Sequence, residues 1–190
     1  MAHHLKTARA HPRRIWCNGE PFRLYLPEKE IRRRVRELGL EISRDYAGKV
    51  PILIGVLNGS FIFISDLMRA LKIDCEVDFL KLSSYGDAKV SSGQVTVRKG
   101  LDADIRARDV LIVEDIVDTG LSVRYLCDLI EAHKPASLRV ATLLHKAEAT
   151  RYAVQLDYVG FVIPNLFVIG YGLDYAQKGR NLRHLYILDR

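Results

Sequence analysis

In the run "VLIVEDIVDTGLSV", Val110 to Val123, three carboxylates, Glu114, Asp115 and Asp118, fall within five residues of one another, directly after four apolar residues. Taking an ionised carboxylate out of water is costly unless it is paired or hydrogen-bonded, so acids at the end of a buried strand imply something bound to them. The residues after them point to the ligand. "DTGLS" sets a small, flexible turn directly before a helical pattern. Backbone N–H groups and the hydroxyls of Thr119 and Ser122 can then converge on one phosphate. Gly120 removes the side chain that would block the approach. Upstream, a carboxylate pair accepts hydrogen bonds from vicinal sugar hydroxyls and suits a phosphate-bound Mg²⁺. One end of the segment favours phosphate and the other favours ribose.

Other phosphate and hydrolase motifs fail by inspection. The chain has no Gly-x-x-x-x-Gly-Lys-Ser/Thr, "GYGLDY" is not Gly-x-Gly-x-x-Gly, and neither Gly-x-Ser-x-Gly nor His-Glu-x-x-His occurs. A phospho-acceptor signalling domain also places acids after one parallel strand and a lysine after the next, but has no use for Asp-Thr-Gly-x-Ser before a helix.

The elements that must hold these residues follow from periodicity. "PEKEIRRRVRELG" spaces Ile31, Val35 and Leu38 helically, with Pro27 early and Gly39 as a stop. "VPILIGVLNGS" is a continuous apolar run, as in a strand buried on both faces. The helix expected over Phe61 to Lys72 puts Phe61, Ile64, Leu67, Met68 and Leu71 on its inner side. "CEVDFLKLSSY" feeds a long, hairpin-like excursion ending in "QVTVR", a length typical of lids and binding loops. "DVLIVED", the helix "LSVRYLCDLIEAH", "SLRVATLLHK", "YVGFVIP" and the strand "LFVIGYGLDY", turning at Gly170 to Gly172, complete the set. Alternating strands and helices predict an α/β fold, a mainly parallel sheet flanked by helices on both faces. Ligands bind such sheets beyond the carboxyl ends of the strands, where Glu114 to Ser122 falls.

Length and composition set the bounds. At 190 residues and 48% hydrophobic, one core is expected. We divide the chain into a basic, flexible tail, 1–14, and a single domain, 15–190. The net charge is +6, and Lys6, Arg9, Arg13 and Arg14 in the tail account for four of these charges, leaving a mildly basic body. "IRRRVR", Ile31 to Arg36, reads as a solvated helix face, so nucleic acid is not the expected partner. No apolar stretch is long enough for a membrane span, and "MAHHLKTARAHPRR" lacks the apolar middle of a secretory signal. Cys17, Cys75 and Cys127 are odd in number and widely spaced, which fits a reducing cytoplasm rather than disulfides or zinc.

With these residues in view, "VLIVEDIVDTGLS" resembles the phosphoribosyl diphosphate (PRPP) binding motif of type I phosphoribosyltransferases. "VLNGSF", "LSSYG", "LLHK" and "LFVIGYGLDYAQKGR", in that order across about Val50 to Arg180, are similar to the hypoxanthine-guanine branch of that family. The resemblance implies the type I fold, with a small hood built from the N- and C-terminal segments and a long flexible loop. It also implies purine salvage: transfer of the 5-phosphoribosyl group from PRPP to hypoxanthine and guanine, giving the nucleoside monophosphate and pyrophosphate. Variants on the same fold are a xanthine-preferring enzyme and an RNA-binding regulator.

The same resemblance implies roles residue by residue. Glu114 and Asp115 hold the ribose hydroxyls and Mg²⁺. Asp118, Thr119, Gly120, Leu121 and Ser122 form the phosphate loop. Asp118 also faces purine N7 as the general acid/base, its competing role being to cap the following helix. Lys146 meets the O6 of a 6-oxopurine, and an amino group there would face it as donor against donor, so adenine is rejected. Phe167 stacks on the purine and the Val168 backbone touches its edge, although an aromatic in an apolar strand is ordinarily core. Asp174 is a second magnesium contact. Arg180 lies near pyrophosphate, with Leu57, Asn58, Gly59 and Ser60, where the family can have a cis peptide between the first two. Many relatives carry lysine or arginine in place of Asn58. Ser84 and Tyr85 belong to the mobile loop that closes over the site. A homodimer or homotetramer is implied as well.

Overall fold

The computed structural model describes residues 12–84 and 95–189. The chain opens with a hairpin, β1 (Arg14–Cys17) and β2 (Glu20–Leu26), followed by α1 (Glu28–Asp45), β3 (Ile52–Leu57) and α2 (Phe61–Ala70). Next come β4 (Glu76–Ser84), β5 (Val95–Lys99), β6 (Asp109–Val117), α3 (Leu121–Glu131) and β7 (Ser137–His145). β8 (Tyr158–Val162), β9 (Val168–Ile169) and β10 (Leu185–Leu188) close it.

Six strands form the main sheet in the order β5-β4-β3-β6-β7-β8. All neighbours are parallel except β5, which runs antiparallel on β4 at one edge. Because β3 is buried on both faces, its alternate residues enter two separate cores. Leu53 packs with Ile31, Val35, Leu38 and Ile42 of α1 and with Phe63, Ile64 and Leu67 of α2. Ile52, Ile54 and Val56 pack with Val123, Leu126 and Ile130 of α3 on the other side. Each of these burials is worth about 2 kcal/mol, which accounts for the uninterrupted apolar spelling of the strand. The sheet grows from β3 outward to β4, and the chain then returns to β6 on the opposite side of β3. The order of strands therefore switches between β3 and β6, and the acids of β6 lie beside that point.

A second sheet, β1-β2-β10-β9, is antiparallel and joins the two ends of the chain as the hood. Of its strands only β9 lies within a run read as a strand from the sequence; β1, β2 and β10 could not be read from spacing, since β2 pairs with β10 across most of the sequence. Arg14, assigned to the tail on sequence grounds, is the first residue of β1, and the Arg13 carbonyl accepts the Leu24 N–H at 2.8 Å.

Two expectations about helices are corrected. α1 does not stop at Gly39 but runs on to Asp45. A Cβ at Gly39 would lie 2.7 Å from the Ala70 Cβ and 2.9 Å from the Ala70 backbone. The glycine serves the close crossing of α1 and α2 rather than a helix end. On α2, Phe63 replaces Phe61 and Met68 on the inner side, and the latter two are exposed. The "LFVIGYGLDY" strand is also shorter than expected. It is only Val168–Ile169, because Gly170 and Gly172 take φ of 106° and 104° and turn the chain back.

Candidate active site

The carboxyl ends of β3, β6 and β7 converge at the switch point. β6 keeps its ladder with β7 through Val117 and His145, and the Lys146 N–H adds one more bond to the Val117 carbonyl at 2.9 Å. Asp118 and Lys146 thus leave adjacent strands side by side. The Lys146 Nζ donates to Asp118 Oδ2 at 2.7 Å. The two ends of this pair differ in setting: Lys146 is 8% exposed, while the Asp118 side chain is 49% exposed. A buried ammonium is therefore presented through an open carboxylate, an arrangement that offers a donor and an acceptor to one edge of a ligand. Asp118 does not cap α3, since the cap position belongs to Gly120.

Gly120 has φ of 86°, and a Cβ there would lie 2.7 Å from the Tyr152 carbonyl oxygen. Both facts require glycine. Gly120 offers no side chain to cap α3, so apart from the Leu121 N–H the donors of its first turn are open to a ligand, with Thr119 and Ser122 exposed beside them and Leu121 half-buried. The Thr119 hydroxyl accepts the Leu121 N–H at 3.4 Å, which folds the loop onto the helix start.

Glu114 is buried and Asp115 half-buried, two adjacent acids near the carboxyl end of β6. Burial, reinforced by the neighbouring Asp115, pushes Glu114 well above the usual carboxylate range. Burial also raises Asp115, against the Ile116 N–H that its Oδ1 accepts at 2.8 Å and the cationic pull of Arg180. Two acids held this way favour a cation or a set of hydroxyl donors, so the pair fits Mg²⁺, which takes one or two carboxylates and completes its shell from substrate and water. Asp174 is paired with Arg180 at 2.7 Å and accepts the Gln177 N–H at 2.8 Å. Among the described residues no three His, Cys, Asp or Glu side chains form a single metal cage. Glu114, Asp115 and Asp174 therefore do not make one three-carboxylate site.

At the end of β3, the Leu57–Asn58 peptide is cis. Asn58 is exposed. Gly59 is wedged between two groups of the site: its Cβ would fall 1.5 Å from Asp115 Oδ2, while its own carbonyl oxygen lies 2.1 Å from where a Cβ on Gly172 would be. The hood turn at Gly172 thus docks on the β3 loop, and Arg180 ties it down by donating to the Gly172 carbonyl at 2.8 Å. Ser60 does not face a ligand. It is fully buried, and its hydroxyl donates to the Val56 carbonyl at 2.6 Å.

Phe167 is 44% exposed and so is not core. Its ring meets Tyr175 edge-on at 5.3 Å and Phe22 at 6.2 Å, contacts that fix the ring and leave part of it open. Val168 is held in β9 opposite Ile187. Ser84 is the last residue of β4, and Tyr85 lies outside the described residues.

The segment after Lys146 escaped sequence reasoning. The Thr150 hydroxyl lies 3.0 Å from the Asp118 carbonyl oxygen and 3.1 Å from that of Lys146, and the Arg151 and Tyr152 N–H groups both donate to the Thr119 carbonyl. Phe22 and Tyr175 were missed too. None of these has a spacing signal, because each meets its partner only through the fold.

A model of the phosphoribosyl transferase domain matches residues 25–176. The chain is 46% identical over 166 residues to the bifunctional protein TilS/HprT of Listeria innocua, covering 87% of this chain but 26% of that protein, so it spans about a quarter of that relative. It is 42% identical over 166 residues to the hypoxanthine-guanine phosphoribosyltransferase of Bacillus subtilis, covering 87% of this chain and 92% of that one. A crystal structure of a hypoxanthine-guanine phosphoribosyltransferase from Bacillus anthracis, with HEPES in its active site, matches at a TM-score of 0.83 and 40% identity, covering 87% and 98% of the two chains.

Proposed function

The chain belongs to the phosphoribosyl transferase family, and on that premise we propose that it is a purine-salvage enzyme. It transfers the 5-phosphoribosyl group of PRPP to hypoxanthine, and to guanine, and releases pyrophosphate. The observation that carries this reading is the Lys146–Asp118 pair at 2.7 Å, a buried donor beside an exposed acceptor. The O6 and N7 of a 6-oxopurine are adjacent on one edge of the base. Lys146 donates to O6 while the Asp118 carboxylate takes the proton leaving N7, so the pair serves the base without having to separate.

The phosphate loop Asp118 to Ser122 holds the 5′-phosphate, and Glu114 and Asp115 accept the ribose hydroxyls. Leu57, Asn58, Gly59 and Arg180 face the pyrophosphate; with Asn58 in place of a cation, backbone groups and Arg180 carry that contact. Phe167 stacks on the purine and Val168 touches its edge through the backbone. Glu114 and Asp115, with Asp174 as a separate contact, would hold Mg²⁺, which when bound would supply positive charge to the diphosphate.

An RNA-binding role on this fold is disfavoured by "IRRRVR" itself. Arg32 pairs with Glu28, Arg33 with Glu37, and Arg34 donates to the Val159 and Gly160 carbonyls of β8, tying α1 to the sheet. No helix of the described residues is long and apolar enough to cross a membrane. We place the enzyme in the cytoplasm as a homodimer or homotetramer. Steady-state kcat/KM for hypoxanthine, guanine and xanthine with PRPP and Mg²⁺ tests the function. Turnover of the first two supports it; negligible turnover of both rejects it, and a clear preference for xanthine selects the alternative.

A further inference from the structure

Asp118 and Lys146 are 28 residues apart in sequence and are neighbours only because β6 and β7 end together. A turn follows Lys146, closed by the Ala149 N–H on the Lys146 carbonyl at 3.0 Å, and brings Thr150 back over both strand ends. There the Thr150 Oγ1 lies 3.0 Å from the Asp118 carbonyl oxygen and 3.1 Å from the Lys146 carbonyl oxygen. One hydroxyl proton is shared between two acceptors from different strands. The His145 Nε2 lies 3.1 Å from the same Oγ1. In the tautomer that carries its proton on Nε2, the imidazole donates to the hydroxyl, orienting its proton toward the two carbonyls.

A threonine that only finished its own turn would bond to the Lys146 carbonyl alone. This one also reaches across to the residue before Thr119, whose carbonyl takes the Arg151 and Tyr152 N–H groups at 2.9 and 3.1 Å. The backbone carrying the carboxylate and the backbone carrying the ammonium are thereby locked to one atom. Their side chains are the two that read the base under the function proposed above.

We infer that Thr150 is a positioning residue for base recognition, its hydroxyl setting the separation of the Asp118 carboxylate and the Lys146 ammonium. The inference rests on the proposed phosphoribosyl transfer to a 6-oxopurine. Its range is specific. Toward the phosphate loop beyond Asp118, Thr150 presents its methyl, with Cγ2 3.5 Å from where a Cβ on Gly120 would lie; Thr150→Val keeps that methyl, so loss of the hydroxyl should be felt most on the purine side of the reaction.

The test compares Thr150→Val, which keeps the shape and removes the hydroxyl, with Thr150→Ser, which keeps the hydroxyl. Wild-type turnover of hypoxanthine with PRPP is measured first, so that failure of the functional reading is seen separately. In an active enzyme, Thr150→Val should lower kcat/KM for the purine about tenfold, the loss of one well-placed hydrogen bond. KM for PRPP should change much less, and Thr150→Ser should restore most of the purine value. Thermal unfolding of each variant separates positioning from stability. An unchanged kcat/KM for the purine in Thr150→Val overturns the inference. So does an equal loss toward both substrates, or a loss that follows the unfolding temperature and is not restored by serine.

Discussion

The packing of Gly59 against Asp115 makes Gly59→Ala a test of whether that carboxylate is placed for function. The added Cβ would lie 1.5 Å from Asp115 Oδ2 and 2.5 Å from its Cγ. Ordinary contact begins near 3.4 Å, so the carboxylate must retreat by about 2 Å. Rotation alone does not relieve this, because Asp115 Oδ1 is held by the Ile116 N–H at 2.8 Å. A short side chain at the sheet end gives way more readily than the core, so the fold should survive with an unfolding temperature close to wild type. Catalysis should not: displacement of a positioned group by 1 Å is enough to cost about 10²-fold. We expect kcat/KM for PRPP to fall at least that far, with a raised Mg²⁺ requirement. Activity within a few-fold of wild type at saturating Mg²⁺ would refute the placement of Asp115 on sugar and metal. A collapse of thermal stability instead would assign Gly59 to folding.

Lys146→Met should lower kcat/KM for hypoxanthine about 10- to 100-fold, the cost of a lost charged hydrogen bond, while PRPP binding by calorimetry stays near wild type. Because Asp118 is half exposed, water can replace the lysine and little stability should be lost. Phe167→Ala should raise KM for the purine about tenfold, in line with about 1–3 kcal/mol for stacking one base, and should leave KM for PRPP nearly unchanged. Asp109 is held below its ordinary value of 3.8 by the Ser137 hydroxyl and by Lys49, so its contribution to stability is present above that value and lost as pH falls through the lowered one. Asp109→Asn should therefore melt earlier than wild type at pH 7, and the gap should close in acid; a gap independent of pH would refute the linkage.

The site was legible where its chemistry is contiguous. Asp118 to Ser122 sit on one turn, and the motif carries both the glycine that a positive φ demands and the hydroxyls beside it. Lys146 showed itself as a cation ending an apolar strand, although its partner is Asp118 and not only a ligand. Elements paired across the whole chain were not legible. The β2–β10 ladder joins residues near the two termini, and nothing in "EPFRLYL" names "LYIL" as its neighbour. Gly39 misled for a related reason: a glycine after a helical run looks like a stop, and only the crossing at Ala70 shows that it makes room for a second helix. Thr150 and Tyr175 act through contacts at long sequence separation, and their residue types alone mark neither. Ser60 was matched by resemblance to the β3 loop with Leu57, Asn58 and Gly59, yet its hydroxyl turns back into the strand it follows.

The central claim is that Asp118 and Lys146 together read the edge of a 6-oxopurine. A crystal structure with bound inosine monophosphate tests it most directly. The account predicts Asp118 within hydrogen-bond distance of N7, Lys146 within hydrogen-bond distance of O6, and the phosphate on the Thr119 to Ser122 turn. A nucleotide bound with its base away from this pair, or with its phosphate off that turn, would contradict it.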